Sequence, residues 1–314
     1  MKKMVTSILI LAVFLASLTG CGSAPEVRYT EDGKQIVTIG YLPITHALAV
    51  FETKELLDQD PDSDITIQLQ KFSSWTDLMD ALDAGQIDGA SVLAELAMGA
   101  VSQGISLKAA ALGHRDGNIV VVSNEINSVE DLRGKTFAIP SNQSSHNILL
   151  QDMLATAGMD FYDINAIQLS PPEMPVSLAS GSIDGYCVAE PFGTQAVAQE
   201  YGHILFNSEE LWKDSICCLL VFNGAYAENQ SETVNRLLDM YQQAEEVLTK
   251  DEQVRIAEEY LGQTKDILEA SLEYISFQDL SITEESYEQL AKKVVDYSIN
   301  ACPPDYEGFV YERQ

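Results

Sequence analysis

Histidine and cysteine are the residues of this chain best suited to chemistry near neutral pH, and there are four and five of them in 314 residues. Three histidines stand where a loop meets a regular element. Tyr41, Thr45 and His46 close an apolar alternating run and open a helical stretch. The free amides and positive dipole end of a helix start suit an anion or a carbonyl oxygen, and Thr45 is a good N-cap. The run Ser141-Asn142-Gln143-Ser144-Ser145-His146 precedes a second helical stretch and offers hydroxyls, amides and an imidazole together. It is too polar for a core, so Ser141, Asn142, Ser144, Ser145 and His146 are expected to meet a ligand. Ser73 and Trp75 combine a hydroxyl with a large aromatic at a similar turn. Arg115, in His114-Arg115-Asp116, carries a planar fork that suits a carboxylate, a sulfonate or nitrate. Glu190-Pro191-Phe192 adds an acceptor for an amine or ring N–H and a ring able to stack on a planar ligand. If ionising, His46 and His146 would tighten the binding of an anion as pH falls toward about 6.

Cysteine points elsewhere. Cys187, Cys217, Cys218 and Cys302 lack zinc-site spacing, and their three possible pairings stay open. Cys217 and Cys218 lie in the apolar run Ile216–Phe222 and read as buried structural thiols rather than redox or metal groups. No metal ligand is assigned and no cofactor is expected; this spacing leaves open whether a metal assists binding.

The elements that must position these residues alternate. A strand at 36–42, a helix from Thr45 to Leu57, a strand at 65–69, a helix at 75–84 and apolar runs at 90–92 and 107–112 follow in order. Such alternation predicts α/β lobes with largely parallel sheets. The pattern then repeats. Gly85-x-Ile87-Asp88-Gly89-x-x-Val92 returns 96 residues later as Gly181-x-Ile183-Asp184-Gly185-x-x-Val188, and Thr38 to His46 resembles Thr136 to His146. Two such lobes enclose a cleft beyond the carboxyl ends of their strands, and hinge closure buries a small ligand there. The Ile-Asp-Gly segments fall at the opposite end and read as architecture. Beyond about residue 222 the period becomes helical amid many acids. The boundaries expected are 36–117 with 222–314 for lobe I, and 118–221 for lobe II.

The first 21 residues have two lysines, then an apolar run too short to span a bilayer comfortably, then Leu18-Thr19-Gly20-Cys21. They read as a leader ending in a lipobox, with Cys21 lipid-modified and residues 21–35 a tether. This places the chain outside the cytoplasm, anchored to an outer membrane face, away from cytosolic ATP and NAD. With 18 basic against 48 acidic residues the net charge is −30. A surface so acidic repels nucleic acid, and a mean hydropathy near zero excludes a multispan membrane protein.

Three segments carry a resemblance: Ile39-Gly-Tyr-Leu-Pro-Ile-Thr-His46, Asp131-Leu-Arg-Gly-Lys135 before the strand Thr136–Pro140, and Val188-Ala-Glu-Pro-Phe-Gly193. They resemble the substrate-binding proteins of nitrate/sulfonate/taurine-type ABC importers, a group including bicarbonate and thiamine-pyrimidine binders. The resemblance implies a type II periplasmic-binding fold, two α/β lobes with a hinge and an interlobe cleft. It also implies a monomer that hands a small polar solute, such as nitrate, a sulfonate or a pyrimidine-type compound, to a permease with its ATPase, and no catalysis. The rival readings are an enzyme on the same fold, of the pyrimidine synthase or dehydratase type, and a sensory or adhesive lipoprotein.

Overall fold

A computed structural model describes residues 27–313. The leader at 1–20 and Cys21 lie outside the described residues. Two sheets form the frame. The first takes β1 (Arg28–Tyr29), β2 (Gln35–Tyr41), β3 (Ile65–Lys71), β4 (Gly89–Leu93) and β5 (Leu107–Leu112). A short β6 (Arg115–Asp116) leads to the second sheet, made of β7 (Asn118–Val122), β8 (Thr136–Ile139), β9 (Asn165–Gln168), β10 (Gly185–Ala189) and β11 (His203–Asn207). The chain then returns as β12 (Cys218–Asn223), and β13 (Ile275–Ser276) pairs with β6.

In the first sheet β2 runs parallel to β3 and β4, while β12 is antiparallel to both β4 and β5. The second sheet has the order β11-β7-β10-β8-β9, with β8 parallel to β9 and β10, and β7 antiparallel to its neighbours. Each lobe therefore has a parallel core plus one antiparallel strand that enters from the other lobe. Sequence follows position. β4 and β10 are buried throughout and read as small and apolar residues without alternation. β3, beside β2 alone, buries Ile65 and Ile67 and leaves Gln68 exposed.

Two boundaries move. The break at 221 falls inside β12, whose pairing with β4 and β5 assigns it to the first sheet. The expected tether is also part of the fold from Arg28: β1 forms a ladder with β2, and the Arg28 guanidinium donates to Thr38 Oγ1 and to Asp88 Oδ2 at 3.4 Å.

The repeated Ile-Asp-Gly has a shared task. Asp88 Oδ2 accepts from the Thr38 amide at 2.7 Å, and Asp184 Oδ2 accepts from the Thr136 amide at 2.9 Å. The same aspartates donate their own amides to Thr38 and Thr136 carbonyls, at 2.9 and 2.8 Å. Each carboxylate thus clamps its lobe's first parallel strand one residue before that strand begins to pair with β4 or β10. Removing a buried acceptor strands its donor, so Asp88→Ala is expected to cost about 2 kcal/mol and Asp184→Ala somewhat less, Asp184 being half-buried. Lying in separate lobes, the two losses should add. Denaturant melts of the single and double variants check this; a double variant no worse than either single one would contradict it.

The helical tail packs on the first lobe. Tyr260, in the helix Lys250–Leu261, stacks on Phe51 of the helix Leu48–Gln59 with ring centroids 4.6 Å apart. The last long helix, Glu284–Asp296, also reaches lobe II: Lys293 Nζ lies 2.8 Å from Asp152 and 5.0 Å from the Trp212 ring centroid. Among the described residues no helix is long and apolar enough to cross a membrane.

Candidate functional site

The two stretches that cross between lobes lie side by side. On the first crossing Asp116 adopts a left-handed backbone (φ 58°), and its Oδ1 accepts from the amide and hydroxyl of Ser215 on the second, at 3.3 and 3.2 Å. Immediately beside this contact, each crossing delivers side chains to one buried centre. The first brings His114 from the end of β5. The second brings Cys217 and Cys218 at the start of β12. The turn after β2, a short 3-10 segment Thr45–Ala47, supplies His46.

All four side chains are fully buried, with one ligand-type atom from each lying within 4.8 Å of the others. His46 Nδ1 lies 3.6 Å from Cys217 Sγ and 3.5 Å from Cys218 Sγ, and the two sulfurs are 3.9 Å apart. The opposite nitrogen of His46 is 3.1 Å from the Gly117 carbonyl. A carbonyl only accepts, so Nε2 carries a proton, and Nδ1 is the nitrogen that faces the sulfurs. The His114 ring lies against His46, tilted by 33° with centroids 3.5 Å apart, and its Nε2 accepts from the Cys218 amide at 3.3 Å.

Further polar groups surround this set without being satisfied. Both ring nitrogens of His146, both carboxylate oxygens of Glu95, Ser145 Oγ, Asn118 Nδ2 and His114 Nδ1 are buried with no hydrogen-bond partner among the described residues. Buried polar atoms are nearly always paired, so such a concentration marks a place built around something else. His146 and Ser145 come from lobe II, while Glu95 opens the lobe I helix Ala94–Ser102.

Burial governs the electrostatics. It lowers His114 and His146 to about 4, with neighbouring His46 pressing His114 the same way. Burial drives the Glu95 carboxyl well above its ordinary range, with the Cys217 charge adding to it. For Cys217 burial alone would raise the thiol, but hydrogen bonding from Cys218 and the nearby His46 outweigh it and hold it well below its ordinary value. His146 thus stays neutral across the physiological range. The expectation that its protonation tightens anion binding near pH 6 is corrected on this ground.

The expected binding residues divide three ways. His46, Ser145 and His146 border the buried centre. Trp75 and Ser141 both line a cavity of about 430 Å³, walled by residues 74–76, Met79, Asp80 and Leu96 of one lobe and by 140–141, 168–171 and Glu173 of the other. Its charged lining residues are Asp80 and Glu173, both acidic. The rest make contacts within the protein or lie exposed. The Tyr41 ring packs edge-on against Phe51, and Thr45 donates its amide and hydroxyl to the Glu190 carbonyl at 2.9 and 3.0 Å, tying the lobes together. Ser144 caps the helix Ser145–Thr156, Asn142 is exposed and its carbonyl accepts from Asn147 Nδ2, Ser73 is exposed, and Phe192 is core. Arg115 is the main correction: its Nε and Nη2 donate to the Asp279 carbonyl at 3.0 and 2.7 Å, so the fork is committed inside the protein. Sequence reasoning passed over His114, Cys217, Cys218 and Glu95. The histidine at a strand end and the paired cysteines were visible signals; the apolar context hid their meaning.

Glu190 accepts from the amide and hydroxyl of Thr194, capping its helix, and burial raises its carboxyl from 4.5 to about 7. A raised carboxyl favours the fold when protonated. That contribution is complete below pH 4.5 and is lost as pH rises through 7. Glu190→Gln keeps an acceptor and removes the titration, so between about pH 5 and 8 it should gain about 2.5 kcal/mol on the parent chain. Denaturant melts at both pH values test this; a constant difference would refute it.

Comparison with known proteins places this geometry in a family. A zinc-bound ligand-binding component of an ABC-type import system from Staphylococcus aureus is 33% identical, with a TM-score of 0.84 over 88% of this chain and 97% of that one. A putative aliphatic sulfonates-binding protein of Escherichia coli is 24% identical over 72% of this chain and 71% of its own length. A nitrate import ATP-binding protein, NrtC, of Synechocystis is 29% identical over 55% of this chain, which spans 29% of that longer protein. The family model described as NMT1-like matches residues 31–262. The chain belongs to the NMT1-like family.

Proposed function

We propose that the protein is the extracytoplasmic solute-binding component of an ABC importer, anchored by a lipid on Cys21 and acting as a monomer without catalysis. One observation carries the reading. The two crossings, the turn after β2 and the helix starts at Ala94 and Ser145 bring polar side chains of both lobes to one buried centre and leave several of them unpartnered, as expected of a site completed by a solute. Hinge closure around that solute makes the loaded form recognisable to a permease. The relatives that work in nitrate and sulfonate import support this assignment, and the leader-like start supports export. No arginine or lysine is among the groups gathered at the centre, so the anionic cargo anticipated from Arg115 loses its main support. Purified permease and ATPase, reconstituted in vesicles, should hydrolyse ATP faster with the loaded protein than without it. An ATPase rate indifferent to the loaded protein would refute the import assignment.

A further inference from the structure

We propose that His46, His114, Cys217 and Cys218 form a tetrahedral site for a thiophilic divalent metal ion of the zinc class, and that this ion is the cargo. The proposal rests on the receptor reading above and deepens it. Zinc bound by two thiolates at about 2.3 Å and two imidazoles at about 2.0–2.1 Å implies tetrahedral edges of about 3.8 Å between sulfurs and about 3.6 Å between sulfur and nitrogen. The observed edges are 3.9 Å for the sulfur pair and 3.6 and 3.5 Å from His46 Nδ1 to the two sulfurs. Three of the six edges therefore already match the ion; the His114 ligand atom lies within 4.8 Å of the other three, and on ligating, His114 gives up the hydrogen bond its Nε2 accepts from the Cys218 amide. The outer contacts of the set suit the task as well. Gly117 holds the far nitrogen of His46, which fixes the tautomer that leaves Nδ1 free, and Asn118 Oδ1 lies 3.8 Å from Cys217 Sγ. Two sulfurs with two imidazoles favour zinc over magnesium or calcium, which take oxygen ligands.

Position argues for cargo over a permanent brace. The ligands sit on both crossings and on the turn that meets lobe II through Glu190. Above them lie two fully buried and unpartnered side chains, Glu95 and lobe II's His146. A brace already closed by four ligands needs no such unsatisfied surroundings. The surrounding lobes have full apolar cores of their own, so the metal-free chain is expected to stay folded.

The test uses the reduced chain stripped of metal. Equilibrium dialysis should show one zinc per chain, with no loss of far-ultraviolet circular dichroism in its absence. Cobalt in place of zinc should give intense thiolate-to-metal absorption with tetrahedral ligand-field bands. Cys217→Ser with Cys218→Ser should weaken zinc at least about 100-fold and abolish the thiolate band, while Cys302→Ser, at the exposed thiol, should change neither. If the double variant does not fold, His46→Gln is read instead, with the same loss expected. No zinc binding, or binding that survives in a folded variant, overturns the site. If nitrate or an alkanesulfonate binds in the same dialysis and zinc does not, the metal proposal falls and the receptor reading stands. If zinc binds but zinc-loaded protein leaves the permease's ATPase unmoved, the cargo assignment falls.

Discussion

Gly113→Ala is expected to abolish binding at the buried centre and to destabilise the fold by about 3 kcal/mol. Gly113 lies between β5 and His114, and its amide donates to the Cys218 carbonyl at 2.8 Å. A methyl group there would stand 2.9 Å from the His46 carbonyl oxygen and 3.2 Å from the Cys218 carbonyl oxygen. Both obstacles are backbone, so neither swings aside. Relief requires β12 and the turn carrying His46 to separate, which pulls apart three of the four side chains that define the centre. The control is Gly104→Ala, at a turn with nothing within 4 Å of the added methyl and a positive φ, which should cost stability locally and leave binding intact. Calorimetric titration alongside denaturant melts separates the two effects. A Gly113→Ala chain that binds as the parent does would remove Gly113 from the account of the site.

Phe51→Ala is the second large effect, at about 3–5 kcal/mol. The ring is fully buried, edge-on to Tyr41 at 4.9 Å and stacked on Tyr260 at 4.6 Å. It joins the first lobe's opening helix to the helical tail, so its loss should act unevenly. Hydrogen exchange should accelerate first across Lys250–Leu261, while the second lobe keeps its protection. Tyr162→Ala, whose side chain is 93% exposed, should lie within about 0.5 kcal/mol of the parent. Uniform loss of protection throughout the chain would contradict the local role given to Phe51.

Much of this frame was legible in the chain itself. Leu107–Leu112 appears as a strand at the bounds its apolar run announced, and the echo of Ile-Asp-Gly marks equivalent clamps in the two lobes. Burial and alternation are local properties, and local properties can be read in sequence. The centre is different. Neighbouring residues of a strand point to opposite faces, so adjacent cysteines in an apolar run argue for two unrelated packing sites. Cys217, however, precedes β12, on the irregular crossing, while Cys218 begins the strand. That bend turns both sulfurs to the same imidazole. His114 and Arg115 show the converse: the charged neighbour drew the expectation, and a carbonyl more than 160 positions further along the chain claimed it. The net charge of −30 likewise describes the coat and not the interior, where imidazoles and cysteine sulfurs gather.

The central claim is that side chains of both lobes jointly hold one solute. Calorimetric titration of the parent chain, of Cys217→Ser in the first lobe's set and of His146→Ala in the second measures it most directly. Zinc, nitrate, alkanesulfonates, bicarbonate and pyrimidines form the panel. The account predicts that one of these classes saturates the parent at one per chain and binds at least about ten-fold more weakly to each variant. No binding from any class, or equal affinity in parent and variants, would contradict it.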